Sequence, residues 1–247
     1  MNEYSLPWAV KARASVVYSF SQFLKNQLRE TLSLYDPIES KSFDAFLFDM
    51  DGTLLDSSAA SERVWGRWAE ENGIPTPPYH GHRVEDTMAD LRSFGIDREK
   101  AAAEITEREL ADLDGVVPIP GAIEFLQALP SGKWAVVTSA PMELALRRIA
   151  AAGLPRPEAI IAAEDVTKGK PKPDPFLAGT KLLSVDPARC LVFEDADTGI
   201  HAAEAAGASV VVITHTNSAT LPGRQAVQDY QRLIASSFSG GLLVHQI

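Results

Sequence analysis

Cysteine is almost absent from this chain, since Cys190 is the single cysteine among 247 residues. One cysteine cannot form an internal disulfide, and scarce cysteine is typical of reducing compartments. Long apolar runs are also missing, because no stretch approaches the roughly 18 residues that a membrane-spanning helix needs. The N-terminus has no compact apolar stretch followed by a small-residue cleavage site, which argues against a secretory signal. We therefore expect a cytoplasmic protein with no membrane partner.

Basic residues are also few compared with acidic ones. The 23 lysines and arginines are outnumbered by 33 aspartates and glutamates, which gives a net charge of −10. Such a chain repels nucleic acids and anionic surfaces unless it has a local basic patch, and none is evident. Apolar residues make up 45% of the sequence, enough for the core of one domain, with or without an insertion. We expect no nucleic-acid partner, and the sequence leaves the oligomeric state open.

Five short apolar runs predict β-strands, and four of them are almost continuously apolar rather than alternating. This pattern is typical of parallel strands that are buried on both faces. Helical stretches separate the last four runs, and such alternation predicts an α/β fold. We expect an open, Rossmann-like parallel sheet with right-handed crossovers. The predicted strands are 44–49, 134–139, 158–163, 190–195 and 209–214.

The segment between the first two predicted strands is too long for one crossover helix. It contains three helical stretches, and Val64, Trp65 and Trp68 share one face of the first. This pattern predicts a small α-helical domain inserted into the α/β core. The predicted divisions are an N-terminal helical extension at 1–42, a core at 43–57 and 119–220, a helical cap at 58–118, and a C-terminal tail packed on the core at 221–247.

The N-terminal extension has an apolar stripe at helical spacing, formed by Val17, Phe20, Leu24 and Leu28. We interpret it as a helix that packs on the domain or on a partner. Its basic residues and serines also allow an organelle transit peptide, although its glutamates argue against one. A wrongly assigned start codon is a third alternative.

Charged and hydroxyl side chains stand at the ends of three predicted strands. In an open α/β sheet the ligand lies outside the carboxyl ends of the strands, so these side chains should converge on one site. Hydroxyls and a lysine suit a phosphate group, and clustered carboxylates suit Mg²⁺. The residues are Asp49 and Asp51 after the first strand, Thr138 and Ser139 after the second, Glu194 and Asp195 at the fourth, and Lys170 in a nearby loop.

Four motifs that contain these residues occur in order: "DMDGT", "VVTS", "GKPKPDPF" and "FEDADTGIHAAEAAG". As a set they resemble the haloacid dehalogenase-like superfamily of phosphatases, over about residues 43–215. The resemblance implies an enzyme that hydrolyses a small phosphate ester with Mg²⁺, and a cap that closes over the site.

Each motif residue has an expected role under this resemblance. Asp49 would attack the phosphorus and form an aspartyl-phosphate, and Asp51 would act as general acid and then as general base. The metal would be held by Asp49, Asp195 and the backbone carbonyl of Asp51. Glu194 is either a direct metal ligand or a residue behind the ligands. Lys170 would neutralise a phosphate oxygen, and the sequence does not decide whether Thr138 or Ser139 also binds the phosphate.

The segment "YHGHRVEDT" at 79–87 lies between two predicted cap helices. It resembles a loop of bacterial sugar phosphatases, which implies a sugar or polyol phosphate as substrate and makes His80, His82 and Arg83 candidate substrate-binding residues. One alternative is a sugar phosphomutase of the same subclass. Those enzymes carry a histidine on the first cap helix where this chain has Ser61, which disfavours that alternative. A second alternative is a non-catalytic phosphosugar-binding module.

Overall fold

The computed structural model describes residues 36–37, 41–216 and 223–247. The predicted N-terminal helix, with its stripe at Val17, Phe20, Leu24 and Leu28, lies outside these residues. That part of the sequence analysis therefore stays a prediction.

Short strands and helices alternate along the described chain. Within the described ranges, no helix has the length and apolar character needed to cross a membrane. The strands are β1 (Asp36–Pro37), β2 (Ala45–Phe48), β3 (Leu55–Asp56), β4 (Val117–Pro118), β5 (Trp134–Val137), β6 (Ile160–Ile161), β7 (Cys190–Glu194), β8 (Ser209–Ile213), β9 (Gln225–Val227), β10 (Leu233–Phe238) and β11 (Gly241–Gln246). The α-helices are α1 (Ser58–Glu71), α2 (Val84–Asp90), α3 (Arg98–Ala111), α4 (Ala122–Gln127), α5 (Met142–Ala151), α6 (Asp174–Leu182) and α7 (Asp197–Ala205).

The described residues contain a six-stranded parallel sheet in the order β6-β5-β2-β7-β8-β9. This arrangement confirms the predicted α/β fold. The chain starts at β2 in the middle, builds β5 and β6 on one side, and then continues with β7 and β8 on the other. The connections therefore diverge at β2, and ligands bind at such a switch point in open α/β sheets. Asp49 immediately follows this strand.

The central strand fills two separate cores because successive side chains point to opposite faces of the sheet. Phe46 and Phe48 pack on one face, in a cluster that includes Phe193 from β7. Ala45 and Leu47 pack on the other face. All four side chains of β2 are buried, which explains its continuously apolar sequence.

The C-terminal residues contain more structure than the predicted tail. The short strand β9 adds to the edge of the main sheet, parallel to β8. Strands β10 and β11 form an antiparallel hairpin that also pairs with β1. Tyr230 lies just before the hairpin. The centroid of its ring is 5.1 Å from that of Phe125 and 5.8 Å from that of Phe193. The C-terminal segment therefore completes one of the two cores.

The insertion has an apolar cluster of its own, which includes the predicted Val64, Trp65 and Trp68 of α1. Met88 of α2 and Ile105 of α3 pack in the same cluster. The chain enters and leaves the insertion through β3 and β4, which pair with each other in antiparallel fashion. This two-stranded connection positions the helices beside the carboxyl end of the main sheet.

Truncating Tyr230 tests whether the C-terminal segment belongs to the core. Tyr230→Ala should lower the free energy of unfolding by about 3–5 kcal/mol, the usual cost of deleting a buried aromatic side chain. Tyr230→Phe should change it by less than about 1 kcal/mol, since the buried hydroxyl has no hydrogen-bond partner among the described residues. Urea unfolding followed by circular dichroism measures both values. Equal stability of the alanine variant and the parent would contradict packing of this segment on the core.

Candidate active site

The predicted catalytic residues meet at the carboxyl end of the parallel sheet. Asp49 follows β2, Thr138 follows β5, and Glu194 is the last residue of β7. The ends of β2 and β7 are held side by side, because the backbone N–H of Asp49 donates a 3.0 Å hydrogen bond to the carbonyl of Phe193. A cavity of about 290 Å³ opens above these strand ends, between the core and the insertion. Six of the predicted site residues line it: Asp49, Asp51, Thr138, Ser139, His80 and His82.

Lys170 lies beneath the cavity and is almost completely buried. Its ammonium group donates hydrogen bonds to Asp49 and, at 2.5 Å, to Oε1 of Glu194. Burial by itself lowers the pKa of a lysine, but the two carboxylates outweigh that effect and raise the pKa of Lys170. The lysine therefore stays charged, and its charge is directed at the predicted nucleophile.

Three buried carboxylates share this small space. Oxygen atoms of Asp49, Glu194 and Asp195 lie within 4.8 Å of one another. Burial raises the pKa of Asp49, the charges of the two neighbouring acids raise it further, and Lys170 opposes both effects. One ammonium group, even with the imidazole of His80 beside Asp195, does not balance three carboxylates, so the cluster favours an additional cation. Hard oxygen ligands of this kind suit a divalent metal such as Mg²⁺.

Glu194 is held in one orientation. Its Oε2 accepts hydrogen bonds from the backbone N–H groups of Asp195 and Ala196, at 2.8 and 2.9 Å. Its Oε1 accepts from Lys170. The carboxylate lies against Gly199 of α7, where a Cβ atom would come within 1.6 Å of Oε1. A glycine in this helix therefore makes room for Glu194.

Asp195 is held by residues from both parts of the molecule. Thr53, in the turn after β2, donates a 3.1 Å hydrogen bond to Oδ1. His80 of the insertion lies 2.7 Å from Oδ2, and this hydrogen bond is the main reason that the pKa of His80 is raised to about 9. A Cβ atom at Gly52 would lie 2.1 Å from the same Oδ2, and its φ of 86° also favours glycine.

Asp51 lies closer to the insertion than Asp49 does. Its Oδ1 accepts hydrogen bonds from the hydroxyl of Ser57 at 2.6 Å and from Nη1 of Arg148 at 3.0 Å. Arg148 is buried and also donates through Nη2 to Glu109 of α3 and to Ser61 of α1, both at 3.0 Å. Arg148 thus joins the predicted acid–base residue to the insertion.

Arg148 and Glu109 were not predicted as site residues, although the helical pattern contains a signal for both. Arg148 falls on the buried face of α5 with Leu144, Ala145 and Ile149. Glu109 follows Ala101 and Ile105 at intervals of four on the buried face of α3. A charged residue at an apolar position of each helix indicates a buried ion pair, because isolated buried charges are costly.

The two hydroxyl residues after β5 differ in their hydrogen bonds, because one accepts and the other donates. Thr138 is buried, and its Oγ1 accepts a 3.0 Å hydrogen bond from the backbone N–H of Ala140. The hydroxyl of Ser139 instead donates at 3.1 Å to the carbonyl of Gly81 in the insertion. Thr138 therefore keeps a proton that can be donated into the cavity, whereas the proton of Ser139 is already shared with the insertion.

The three predicted residues of the 79–87 loop are not equivalent. His80 and His82 line the cavity, together with Tyr79, whose ring stacks 5.0 Å from that of Trp65. Arg83 has a different position, outside the cavity lining. It pairs with Asp86 and donates to the backbone carbonyls of Val166 and Thr167, just before the Lys170 loop. A direct contact of Arg83 with substrate stays a prediction, and its position favours a role in joining this loop to the core.

Comparison with known proteins identifies the family. The family model of haloacid dehalogenase-like hydrolases matches residues 43–207, a span that contains all the candidate site residues described above. The chain belongs to this family. The resemblance predicted from the four motifs is therefore confirmed.

Relatives within the family act on sugar and polyol phosphates. The chain is 40% identical to hexitol phosphatase A of Escherichia coli K12 over 179 residues, which cover 68% of this chain and 82% of that protein. It is 34% identical over 184 residues to the fructose-1-phosphate phosphatase YqaB of the same organism, covering 68% and 95% of the two chains. A hydrolase from Pseudomonas syringae has a similar solved structure, with a TM-score of 0.67 at 26% identity over 75% of this chain and 94% of that one.

Two glycines provide a matched test of the packing around Glu194. Gly199→Ala should lower the free energy of unfolding by roughly 1–3 kcal/mol, because the new methyl group overlaps the buried carboxylate. Gly66→Ala should raise it by about 0.5–1 kcal/mol, since no described atom lies within 4 Å of that position in α1. Urea titrations measure both. A stabilised Gly199→Ala variant would show that Glu194 does not occupy this position.

Proposed function

We propose that this protein is a Mg²⁺-dependent phosphatase that hydrolyses a small sugar or polyol phosphate through an aspartyl-phosphate. The observation that carries the proposal is the convergence of Asp49, Lys170 and the Glu194–Asp195 pair at the switch point of the sheet. Asp51 follows Asp49 by two residues and lines the same cavity. The phosphatase relatives support this assignment. The scarcity of cysteine supports a cytoplasmic location.

Asp49 is the nucleophile in this proposal. Its carboxylate attacks the phosphorus, and the bond between phosphorus and the ester oxygen breaks as Asp51 gives its proton to that oxygen. Asp51 then takes a proton from the water that hydrolyses the aspartyl-phosphate, which releases phosphate and restores both acids. Lys170 stabilises the anionic form of Asp49 and, during the reaction, the negative charge that the phosphoryl group brings.

The acidic cluster fits a divalent cation, because a cation would offset its excess of negative charge. Asp49 and Asp195 would hold the ion together with the backbone carbonyl of Asp51, and Mg²⁺ bound there would offset the repulsion between the nucleophile and the phosphate. Both oxygens of Glu194 already accept hydrogen bonds. We therefore assign Glu194 mainly to holding Lys170. Because Glu194 lies close to the two aspartates, its charge would also attract the ion.

Thr138 is the better candidate for a hydrogen bond to the phosphate. Its oxygen accepts from a backbone N–H, so its own proton is available. Ser139 would have to give up its bond to Gly81 first. This difference favours one of the two hydroxyls that the sequence alone left equivalent.

The insertion supplies the groups that would recognise the rest of the substrate. The core residues bind only the phosphoryl group and the ion, which every phosphate ester shares. The cavity wall on the insertion side carries His82, Tyr79 and Glu62, whose polar groups can bond to sugar or polyol hydroxyls. Binding of those hydroxyls can align the phosphate for attack.

The phosphomutase alternative receives no support from the cavity. Ser61 stands where the related mutases carry a histidine, and its hydroxyl is hydrogen-bonded to Arg148 and lies 3.5 Å from Glu109. The binding-module alternative would not require the intact set of Asp49, Asp51 and Lys170. An activity assay distinguishes all three functions.

Purified protein with Mg²⁺ should release inorganic phosphate from hexitol and hexose phosphates. Asp49→Asn should abolish release without unfolding the protein, since the amide keeps the size of the side chain but is not a nucleophile. A chelator should abolish release by the parent protein. Phosphate release and circular dichroism measure these effects. Asp44→Asn is the matched control, because this acid lies before β2 at the opposite end of the strand.

Substantial turnover by a folded Asp49→Asn protein would exclude the covalent mechanism. An unchanged rate in the presence of the chelator would exclude the metal. Isomerised sugar phosphate in place of free phosphate would establish the mutase, and neither product would favour the binding module.

The two hydroxyl residues should differ in their effect on catalysis. Thr138→Val should lower kcat/KM about ten- to a hundredfold, because a hydrogen bond to a charged group contributes on the order of 1.5–3 kcal/mol. Thr138→Ser should recover most of the activity, and Ser139→Ala should lose only a few-fold. The comparison uses a sugar phosphate and an aryl phosphate, since both share the phosphoryl group. A larger loss for Ser139→Ala than for Thr138→Val would reverse the assignment.

A further inference from the structure

Arg148 is a buried cation that the steps above leave unassigned. Its side chain is 5% exposed and lies between two carboxylates, Asp51 of the core and Glu109 of the insertion, at 3.0 Å from each. A guanidinium group is planar, with donors at fixed angles, so it can hold two partners in one relative geometry. The arrangement places a rigid link between the two parts of the molecule directly at Asp51.

The two carboxyl oxygens of Asp51 differ in their hydrogen bonds. Oδ1 accepts from both Ser57 and Arg148. No residue in the described ranges donates to Oδ2. The pair of donors thus fixes the rotation of the carboxyl group and leaves Oδ2 to carry the proton that reaches the substrate. A general acid must lie within hydrogen-bond distance of the atom that it protonates, so this rotation matters to the rate.

The insertion determines where Arg148 can lie. Nη2 of Arg148 donates to Glu109 and to the hydroxyl of Ser61. Glu109 is itself fixed by a 3.3 Å hydrogen bond from the indole of Trp65, in the apolar cluster of the insertion. Removing Glu109 would leave the arginine with one carboxylate partner and without its support on the insertion side.

We propose that Arg148 is a positioning residue, which orients Asp51 for proton transfer to the leaving oxygen and is itself oriented by Glu109 and Ser61. This proposal rests on the proposed function, in which Asp51 is the general acid. It makes proton transfer depend on the position of the insertion as well as on the core. In the first step the O–P bond to Asp49 forms, the bond from phosphorus to the ester oxygen breaks, and that oxygen receives the proton from Oδ2 of Asp51.

The dependence on the leaving group separates this role from a merely structural one. An alkoxide must be protonated as it leaves, whereas 4-nitrophenolate leaves readily without a proton. A positioning defect at Asp51 should therefore lower kcat/KM for ethyl phosphate far more than for 4-nitrophenyl phosphate. Neither ester carries sugar hydroxyls, so lost substrate recognition does not affect the comparison. The parameter kcat/KM reports the steps up to loss of the alcohol, before Asp51 acts as a base.

The experiment measures both esters with full-length protein and Mg²⁺. Arg148→Lys should lower kcat/KM for ethyl phosphate about a hundredfold and for 4-nitrophenyl phosphate less than about fivefold, the size expected for impaired general acid catalysis. Glu109→Gln should show the same selectivity with a smaller loss. Arg147→Lys is the matched control, because the half-exposed Arg147 pairs with Glu143 and donates to the carbonyl of Leu110 in the insertion but has no hydrogen bond to Asp51. It should leave both values unchanged.

Asp51→Asn is the reference, since it removes the acid itself. If that variant is selective for ethyl phosphate but Arg148→Lys and Glu109→Gln lose activity equally on both esters, the positioning role is wrong while the proposed function stands. If Asp51→Asn itself shows no selectivity, Asp51 is not the general acid, and the positioning role of Arg148 fails with that assignment. The phosphatase itself is tested separately by Asp49→Asn and the chelator. Should Arg148→Lys not fold, as judged by circular dichroism, the selectivity of Glu109→Gln decides.

Discussion

The site depends on one electrostatic constraint: three carboxylates are buried around a single ammonium group. Lys170 contacts Asp49 and Glu194 at once, and its own charge is stabilised by both. Burial without such pairing would neutralise the acids, because the charged form is costly in a low-dielectric environment. The remaining excess of negative charge makes the cluster suitable for a cation. The residues around it serve mainly to keep this arrangement in place, including the backbone amides that hold Glu194 and the glycines that make room for the acids.

A second network joins this core to the insertion. Asp51, Arg148 and Glu109 form a continuous line of hydrogen bonds across the boundary between the two parts. The cavity lies along the same boundary and is lined by residues of both parts. Under the proposed function, the strand ends would bind the phosphoryl group, which is the same in every ester. The insertion would contact the part of the substrate that differs.

Elements with a strong local pattern could be predicted from the sequence, and elements without one could not. Five of the six strands of the main sheet were predicted, because a parallel strand buried on both faces is continuously apolar and polar residues at its end are conspicuous. Strand β9 was missed, since three residues with an exposed glutamine carry no such pattern. Arg83 was predicted as a substrate residue from a loop resemblance, yet the side chain reaches the carbonyls of Val166 and Thr167. No local pattern could reveal those partners, more than eighty residues away.

The sequence by itself determined the α/β core, the presence of a helical insertion and the types of side chain that stand at the strand ends. Each of these follows from periodicity or from residues close together in the chain. Only the tertiary structure decided that Thr138 keeps its proton while Ser139 shares its own, that Thr53 and His80 hold Asp195, and that Arg148 pairs with both Asp51 and Glu109. The physical reason is that hydrogen bonds act over about 3 Å, and those distances are set by packing between elements that lie far apart in sequence.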